Sequence, residues 1–315
     1  MTQFFYNSAM EKKYYYAFTD YCKQNFGRKL YRVALDAHMT CPNRDGKIDT
    51  RGCIFCDAGG SGDFAISYEG QKLTKQDLIY NHQDAEIGDY IAYFQAYTNT
   101  YATYERLKQL FTAALSDTLF AGISVATRPD CVNEETIRLF QELKQAFPNK
   151  FIWVELGLQT MHERSAVFIR RGYRLEVFDA CVEKLHAIGV SVIAHVIIGL
   201  PNETEQDVLD TIHHLNVLQI DGVKLQLLHY LKGCDLGKMY LENPNAFHVL
   251  RQEEYIHIVV NCIGNLDKQI VIHRLTGDGA GELLLAPLWS KDKRRVLNML
   301  RHALKEKNIV QGCLL

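Results

Sequence analysis

The chain has 315 residues, 47% hydrophobic and 23% charged, which is enough apolar content for a full core and excludes a disordered or fibrous protein. Its net charge of −2 announces no nucleic-acid partner, although basic residues can be confined to one face. No apolar run reaches the ~20 residues that cross a bilayer, and the first sixteen residues lack a signal-peptide core, so a soluble, cytoplasmic protein is expected, its nine cysteines serving as thiols or metal ligands.

Residues 5–26 mix Tyr, Phe and Lys as an amphipathic helix ending near Gly27. From Tyr31 onward, strand-like segments at 31–37, 90–96, 120–126, 151–158, 191–198 and 222–228 alternate with helical patterns at 74–86, 133–147, 175–188 and 203–218. Six β-α units in order predict an α/β fold, a parallel sheet with right-handed crossovers curled into a partial barrel. After Gly233-Cys234 the rhythm changes to a helix over 252–266, a short strand over 269–275, a glycine-rich turn over 276–281 and a helix over about 290–307. That last helix carries seven positive charges against two negative. Three parts follow: an N-terminal helix (1–28), a barrel core (29–235) and a small C-terminal α+β extension (236–315).

The chemistry-bearing stretch is Cys41 to Cys56, which leaves the C-terminal end of the first strand, where α/β barrels keep their active sites. Gly46 and Gly52 let this polar loop fold back, so Cys41, Cys53 and Cys56 can converge. Three thiolates on a four-iron cube leave one iron open to an exogenous amine and carboxylate. A zinc site completed by His38 or a distant residue uses the same cysteines. The run Gly59-Gly60-Ser61-Gly62 follows, too glycine-rich for a helix or central strand. The other strand ends are polar or glycine-rich too: Thr127-Arg128-Pro129-Asp130, Gln159-Thr160, Gly199-Leu200-Pro201-Asn202 and His229-Tyr230 would meet at one mouth.

With aromatic Phe55 directly before its last cysteine, the triad resembles the cluster motif of the radical S-adenosylmethionine superfamily. Its C-x11-C-x2-C spacing is similar to that of the YhcC/YtqA-type branch related to the elongator catalytic subunit, rather than to the commoner C-x3-C-x2-C form. The resemblance covers nearly the whole chain. It implies a [4Fe-4S] cluster on Cys41, Cys53 and Cys56, S-adenosyl-L-methionine on the open iron, and Phe55 beside the adenine. It also implies Glu155 and Gln159 at the ribose, Gly199 close to the adenine, and Arg171 at the cosubstrate carboxylate. A carboxylate such as Glu155 inside an apolar strand must be hydrogen-bonded or paired, and an interior Arg or Lys would serve as well as a ribose. Where relatives carry a Gly-Gly-Glu-like segment, this chain has Gln95-Ala96-Tyr97-Thr98-Asn99, so backbone carbonyls or the amides of Gln95 and Asn99 would accept from the methionyl amine. No residue is singled out to direct a substrate radical.

For substrate, the resemblance implies transfer RNA, with the C5 side chain of the wobble uridine remodelled from carboxymethylaminomethyl to aminomethyl. The implied partners are an electron donor such as flavodoxin or ferredoxin and a tRNA methyltransferase. The basic last helix, with Arg170, Arg171 and Arg174, would hold phosphates. Too few residues follow position 235 for the elongator subunit's acetyltransferase domain, so acetyl-coenzyme A chemistry is not expected. Two other readings compete: a zinc-stabilised nucleic-acid-binding protein and a radical enzyme acting on a small molecule.

Overall fold

The computed structural model describes residues 13–56, 65–79, 82, 84–277 and 281–315. Eight parallel strands form one sheet: β1 (Tyr31–Asp36), β2 (Ile66–Ser67), β3 (Tyr90–Phe94), β4 (Phe120–Thr127), β5 (Phe151–Gln159), β6 (Ser191–Ile198), β7 (Gly222–Leu227) and β9 (Val271–Arg274). Their order is β2-β1-β3-β4-β5-β6-β7-β9. A separate antiparallel pair joins β8 (Tyr230–Leu231) to β10 (Leu284–Ala286). The central strands are almost continuously apolar and buried, as a sheet covered on both faces demands. The sheet curls far enough that Arg32 on β1 meets His273 on β9, Nη2 to Nδ1 at 2.7 Å, although five strands separate them in the order. It is an α/β fold with a partial barrel, and two strands join the six read from the sequence.

Helices α2 (Tyr104–Ser116), α3 (Glu134–Ala146), α4 (Glu163–Phe168), α5 (Leu175–Ala187), α6 (Glu205–Val217) and α8 (Gln252–Asn265) connect the sheet strands, with α7 (Asp235–Glu242) following β8. Thr103, Asn133 and Thr204 cap α2, α3 and α6 by accepting the N3 backbone N–H. Helix α9 (Lys293–Glu306), capped by Asp292, packs on α8 through Val296, Leu300 and Leu304, four residues apart and therefore on one face. Among the described residues no helix is long and apolar enough to cross a membrane.

Two helix readings need correction. The N-terminal helix is α1 (Phe18–Phe26), shorter than 5–26 where described. Residues 14–17 are extended because their backbone pairs elsewhere: the Tyr16 carbonyl accepts from Ile272, the Tyr14 carbonyl from Gln311, and Ala17 bridges Ile272. Described residues of 74–86 hold a single 3-10 turn, Lys75–Asp77, instead of an α-helix. The cap at Thr74 forms, but the chain leaves the turn at Leu78, whose backbone is extended at φ −78° and ψ 127°. The 59–62 run, like residues 278–280 of the late glycine-rich turn, lies outside the described residues.

The barrel interior is layered. At its N-terminal end Ile91, Trp153 and Ile193 pack with Cys22 and Leu30, and Phe18, Tyr21 and Phe26 of α1 cover them. That apolar plug lies at the bottom, and the cavity that holds the cysteine loop lies toward the strands' C-terminal ends.

Candidate active site

The cysteine loop is folded by its own backbone. Arg44 N–H donates to the Cys41 carbonyl at 2.8 Å, Ile48 N–H to Pro42 at 2.8 Å, and Gly52 N–H to Asn43 at 2.7 Å. Gly52 has φ +77°, and a Cβ there would fall 3.0 Å from Arg44 Nε, so both backbone and space require glycine. The Cys53–Cys56 turn is gripped from both sides: Ile54 N–H donates to the Ile169 carbonyl at 3.2 Å, while the Ile54 carbonyl accepts from Leu236 N–H at 2.8 Å.

All three thiols line one cavity of about 990 Å³, together with Phe55, Gln95, Glu155, Gln159 and Arg171. Asn99 and Gly199 do not line it. Asn99 is fully buried, its Nδ2 donating to the carbonyls of Phe94, Ala96 and Ala126 at 3.1, 3.0 and 2.9 Å. Its Nδ2 ties the end of β3 to β4, while its buried Oδ1 has no hydrogen-bond partner among the described residues. Gly199, with φ +92°, turns the chain beside Leu250, whose Cδ1 would lie 2.9 Å from a Cβ.

Three cysteine thiols facing one cavity are the donor set that an iron–sulfur cluster takes. Polar groups already face the sulfur of Cys53: Asn43 Nδ2 lies 3.4 Å from it, and the guanidinium groups of Arg128 and Arg170 oppose the burial that pushes this thiol's pKa up. The same groups would stabilise a ligating thiolate.

Asn43, Arg44, Arg128, Tyr97 and Tyr173 bring the site together; the sequence placed Arg128 at a strand end of the mouth and Tyr97 in the segment after β3, but assigned none of the five a role at the site. Asn43 Nδ2 donates to the Arg170 carbonyl at 2.8 Å, and Gly172, with φ +81°, brings the following chain close; a Cβ there would be 2.8 Å from Asn43 Oδ1. Arg128 holds Asp130 through two hydrogen bonds of 3.0 and 2.8 Å and donates Nη1 to the Arg171 carbonyl at 2.9 Å. Tyr173 has both the Arg128 and Arg171 guanidinium groups over its ring, at 4.9 and 4.8 Å, and donates its hydroxyl to the Gly157 carbonyl. Arg44 lies 5.7 Å from the Tyr97 ring and bonds the Cys56 carbonyl at 2.9 Å. Tyr97 and Gln159 both line the cavity with φ near +60°, a conformation that costs a non-glycine residue ~1–3 kcal/mol and concentrates at functional sites.

Arg171 is 1% exposed, and most of its fork is spent on the protein. Its Nε donates to the Tyr173 carbonyl at 3.0 Å, and Nη1 donates to those of Leu158 and Thr160 at 3.1 and 2.7 Å. Glu155 is also fully buried. One carboxylate oxygen accepts from Ser124 at 2.8 Å; the other meets His195 at 2.7 Å and Lys224. The Lys224 ammonium and its other neighbours hold the Glu155 pKa well below the usual carboxylate range, against the opposing effect of burial.

A partial barrel presenting three convergent cysteines at its C-terminal mouth defines a radical enzyme scaffold, and the chain belongs to the radical SAM superfamily: the Radical SAM superfamily matches residues 50–215 and the Radical_SAM C-terminal domain residues 220–306. It is 38% identical over 303 residues to the uncharacterized protein YtqA of Bacillus subtilis, covering 96% of this chain and 92% of that one. Protein YhcC of Escherichia coli K12 is 31% identical, with 86% and 85% covered. More distantly, the tRNA uridine(34) acetyltransferase of Methanocaldococcus jannaschii is 26% identical over 160 residues, half of this chain and 28% of that one. Among solved structures, the archaeal Methanocaldococcus infernus Elp3 with an N-terminal deletion superposes with a TM-score of 0.59 at 16% identity, covering 70% of this chain and 55% of that one. The protein is thus a radical SAM enzyme of the YhcC/YtqA branch, and a [4Fe-4S] cluster and S-adenosylmethionine are its cofactors.

Proposed function

We propose that the enzyme acts on the wobble uridine of transfer RNA, converting a carboxymethylaminomethyl group on carbon 5 to aminomethyl. Cys41, Cys53 and Cys56 would hold the cluster, with Phe55, Gln95, Gln159 and Gly157 around the cosubstrate. What the cofactors supply when bound is hydrogen-atom abstraction by a 5'-deoxyadenosyl radical released on one-electron reduction of the sulfonium. The overall change balances: the N–CH2 unit of the side chain loses two electrons and two protons to give an imine, and water splits the imine into the primary amine and glyoxylate. S-adenosylmethionine is the oxidant and leaves as methionine and 5'-deoxyadenosine. The electron that starts the turnover, from a flavodoxin or ferredoxin, is recovered when the substrate radical is oxidised.

The observation that carries this reading is that the cavity holding the three cysteines has Lys293, the first residue of α9, in its lining, while Arg294, Arg295, Arg301 and Lys305 stand exposed along that helix. A basic track starting at the site suits an anticodon loop, whose wobble base can be splayed into a pocket without melting a duplex. The name of the M. jannaschii relative, an enzyme of tRNA uridine 34, supports the same target. A methyltransferase acting on the aminomethyl product is the partner this chemistry calls for. Anaerobically reconstituted enzyme given reductant, S-adenosylmethionine and carboxymethylaminomethyl-bearing tRNA should form aminomethyluridine and 5'-deoxyadenosine together. Formation of 5'-deoxyadenosine with the RNA unchanged, under conditions where a small metabolite is consumed, would redirect the reading to a small-molecule enzyme.

A further inference from the structure

Six basic residues, Arg32, Arg44, Arg128, Arg171, Arg274 and Lys293, line the cavity with Glu155 among its described residues. Arg128 is paired with Asp130 and Arg171 with Glu163, and Arg44 and Lys293 have partners of their own. Arg44 and Arg128 stand beside the cysteine loop, where the cluster's negative charge belongs. Arg32 and Arg274 belong to the strands below.

Lys224 and Arg274 are register partners on β7 and β9, and like charges set directly opposite each other destabilise a strand pair. Glu155 cannot balance them all, because its oxygens are taken by Ser124, His195 and Lys224. Arg32 reaches this layer from β1: its Nη2 meets His273 Nδ1 at 2.7 Å and its guanidinium lies 4.2 Å from the Phe18 ring, while its buried Nε, 4.0 Å from Glu155 Oε1, has no hydrogen-bond acceptor among the described residues. Among the described residues no carboxylate lies within ion-pair distance of Arg274. His195 and His273 add no charge, since burial pushes both imidazoles' pKa values down. Two guanidinium groups therefore face the floor of a cavity with one fully committed carboxylate between them, an arrangement that costs free energy until an anion arrives.

We propose that Arg32 and Arg274 form a receptor for a carboxylate of the substrate. A guanidinium fork accepts a planar carboxylate through paired hydrogen bonds. The proposal rests on the wobble-uridine reading only for the carboxylate's source, the carboxymethyl group that distinguishes that substrate from its aminomethyl product. The cosubstrate's own carboxylate belongs at the open iron, beside the cysteines. Capture at the floor would draw the side chain's N–CH2 unit down into the barrel and let the product, which lacks the anion, leave.

The test compares anticodon stem-loops carrying either carboxymethylaminomethyluridine or aminomethyluridine, bound without reductant to reconstituted wild-type enzyme and to Arg274→Gln and Arg32→Gln. S-adenosylmethionine affinity is measured alongside. Wild type should prefer the carboxylate-bearing RNA by about tenfold, the scale of one charge-assisted hydrogen bond, and each variant should bring the preference close to one. A preference that survives in both variants overturns the receptor. So does weakened S-adenosylmethionine binding with an unchanged RNA preference, which assigns the arginines to the cosubstrate. If neither RNA binds, the RNA reading fails by itself, and calorimetry with N-methylglycine against its amide decides the floor. Binding of the acid alone, lost in Arg274→Gln, sustains the receptor for another carboxylate substrate; equal behaviour of acid and amide overturns it.

Discussion

Replacing Arg171 separates a structural role from a binding one. Its guanidinium is buried and donates to three carbonyls, those of Tyr173, Leu158 and Thr160, thereby pinning the end of β5 to the segment that wraps the cysteine loop. Arg171→Ala leaves those acceptors without their donor, at about 1–3 kcal/mol each where no water replaces it. Allowing for water at one of the three, the loss is about 2–6 kcal/mol. At roughly 2 °C per kcal/mol for a chain of this size, the melting temperature should fall by about 4–12 °C. Arg171→Lys keeps the charge but not the fork geometry and should recover little of that loss. The assay is thermal unfolding of reduced, cofactor-free protein, so no cosubstrate contact contributes. An unchanged melting temperature in both variants, combined with a selective loss of S-adenosylmethionine affinity, would refute this account and give Arg171 the carboxylate-binding role that the resemblance implied.

Other changes have equally definite outcomes. Gly157→Ala places a Cβ 2.5 Å from Gln159 Nε2 and should displace that side chain, weakening S-adenosylmethionine binding by equilibrium dialysis more than it lowers the melting temperature. Asn43→Ala removes the amide joining Cys53 Sγ to the Arg170 carbonyl and should speed iron loss on exposure to chelator; unchanged retention would show that the backbone alone holds the loop. Burial pushes the Lys224 ammonium pKa down to about 7. A depressed pKa contributes stability that is complete above the unfolded lysine's value and lost as pH falls through about 7, so the stability of wild type relative to Lys224→Met should rise from pH 7 toward pH 10. A flat difference would contradict that ionisation. Arg294→Gln combined with Arg295→Gln should weaken tRNA binding and reduce the salt slope by roughly 1.5 if both residues contact phosphate.

The sequence made the three cysteines, their loop glycines and the alternation of strand and helix legible because each rests on local spacing. Glu155 was equally visible as a carboxylate in an apolar strand, but its Ser124, His195 and Lys224 partners lie on three other strands and depend on the barrel's curvature. Strand β9 was recognised as a strand and not as part of the sheet, because two helices separate its four residues from β7. That Asn99 is buried, with its Nδ2 tied to three carbonyls at the end of β3, was not legible, because a polar loop residue is normally solvated. Arg128, Asn43 and Tyr173 come from three loops far apart in the chain, and no spacing rule connects them. The positive φ of Tyr97 and Gln159, the backbone sign of a functional mouth, has no signature in residue type.

The central claim is tested most directly by nucleoside mass spectrometry of total transfer RNA from cells with and without this gene. The account predicts that loss of the gene leaves 5-carboxymethylaminomethyluridine accumulated at the wobble position and removes aminomethyluridine and its methylated derivative, and that Cys53→Ala, which breaks the cluster ligand set, fails to restore them. A wobble-uridine profile identical in the two strains would contradict it.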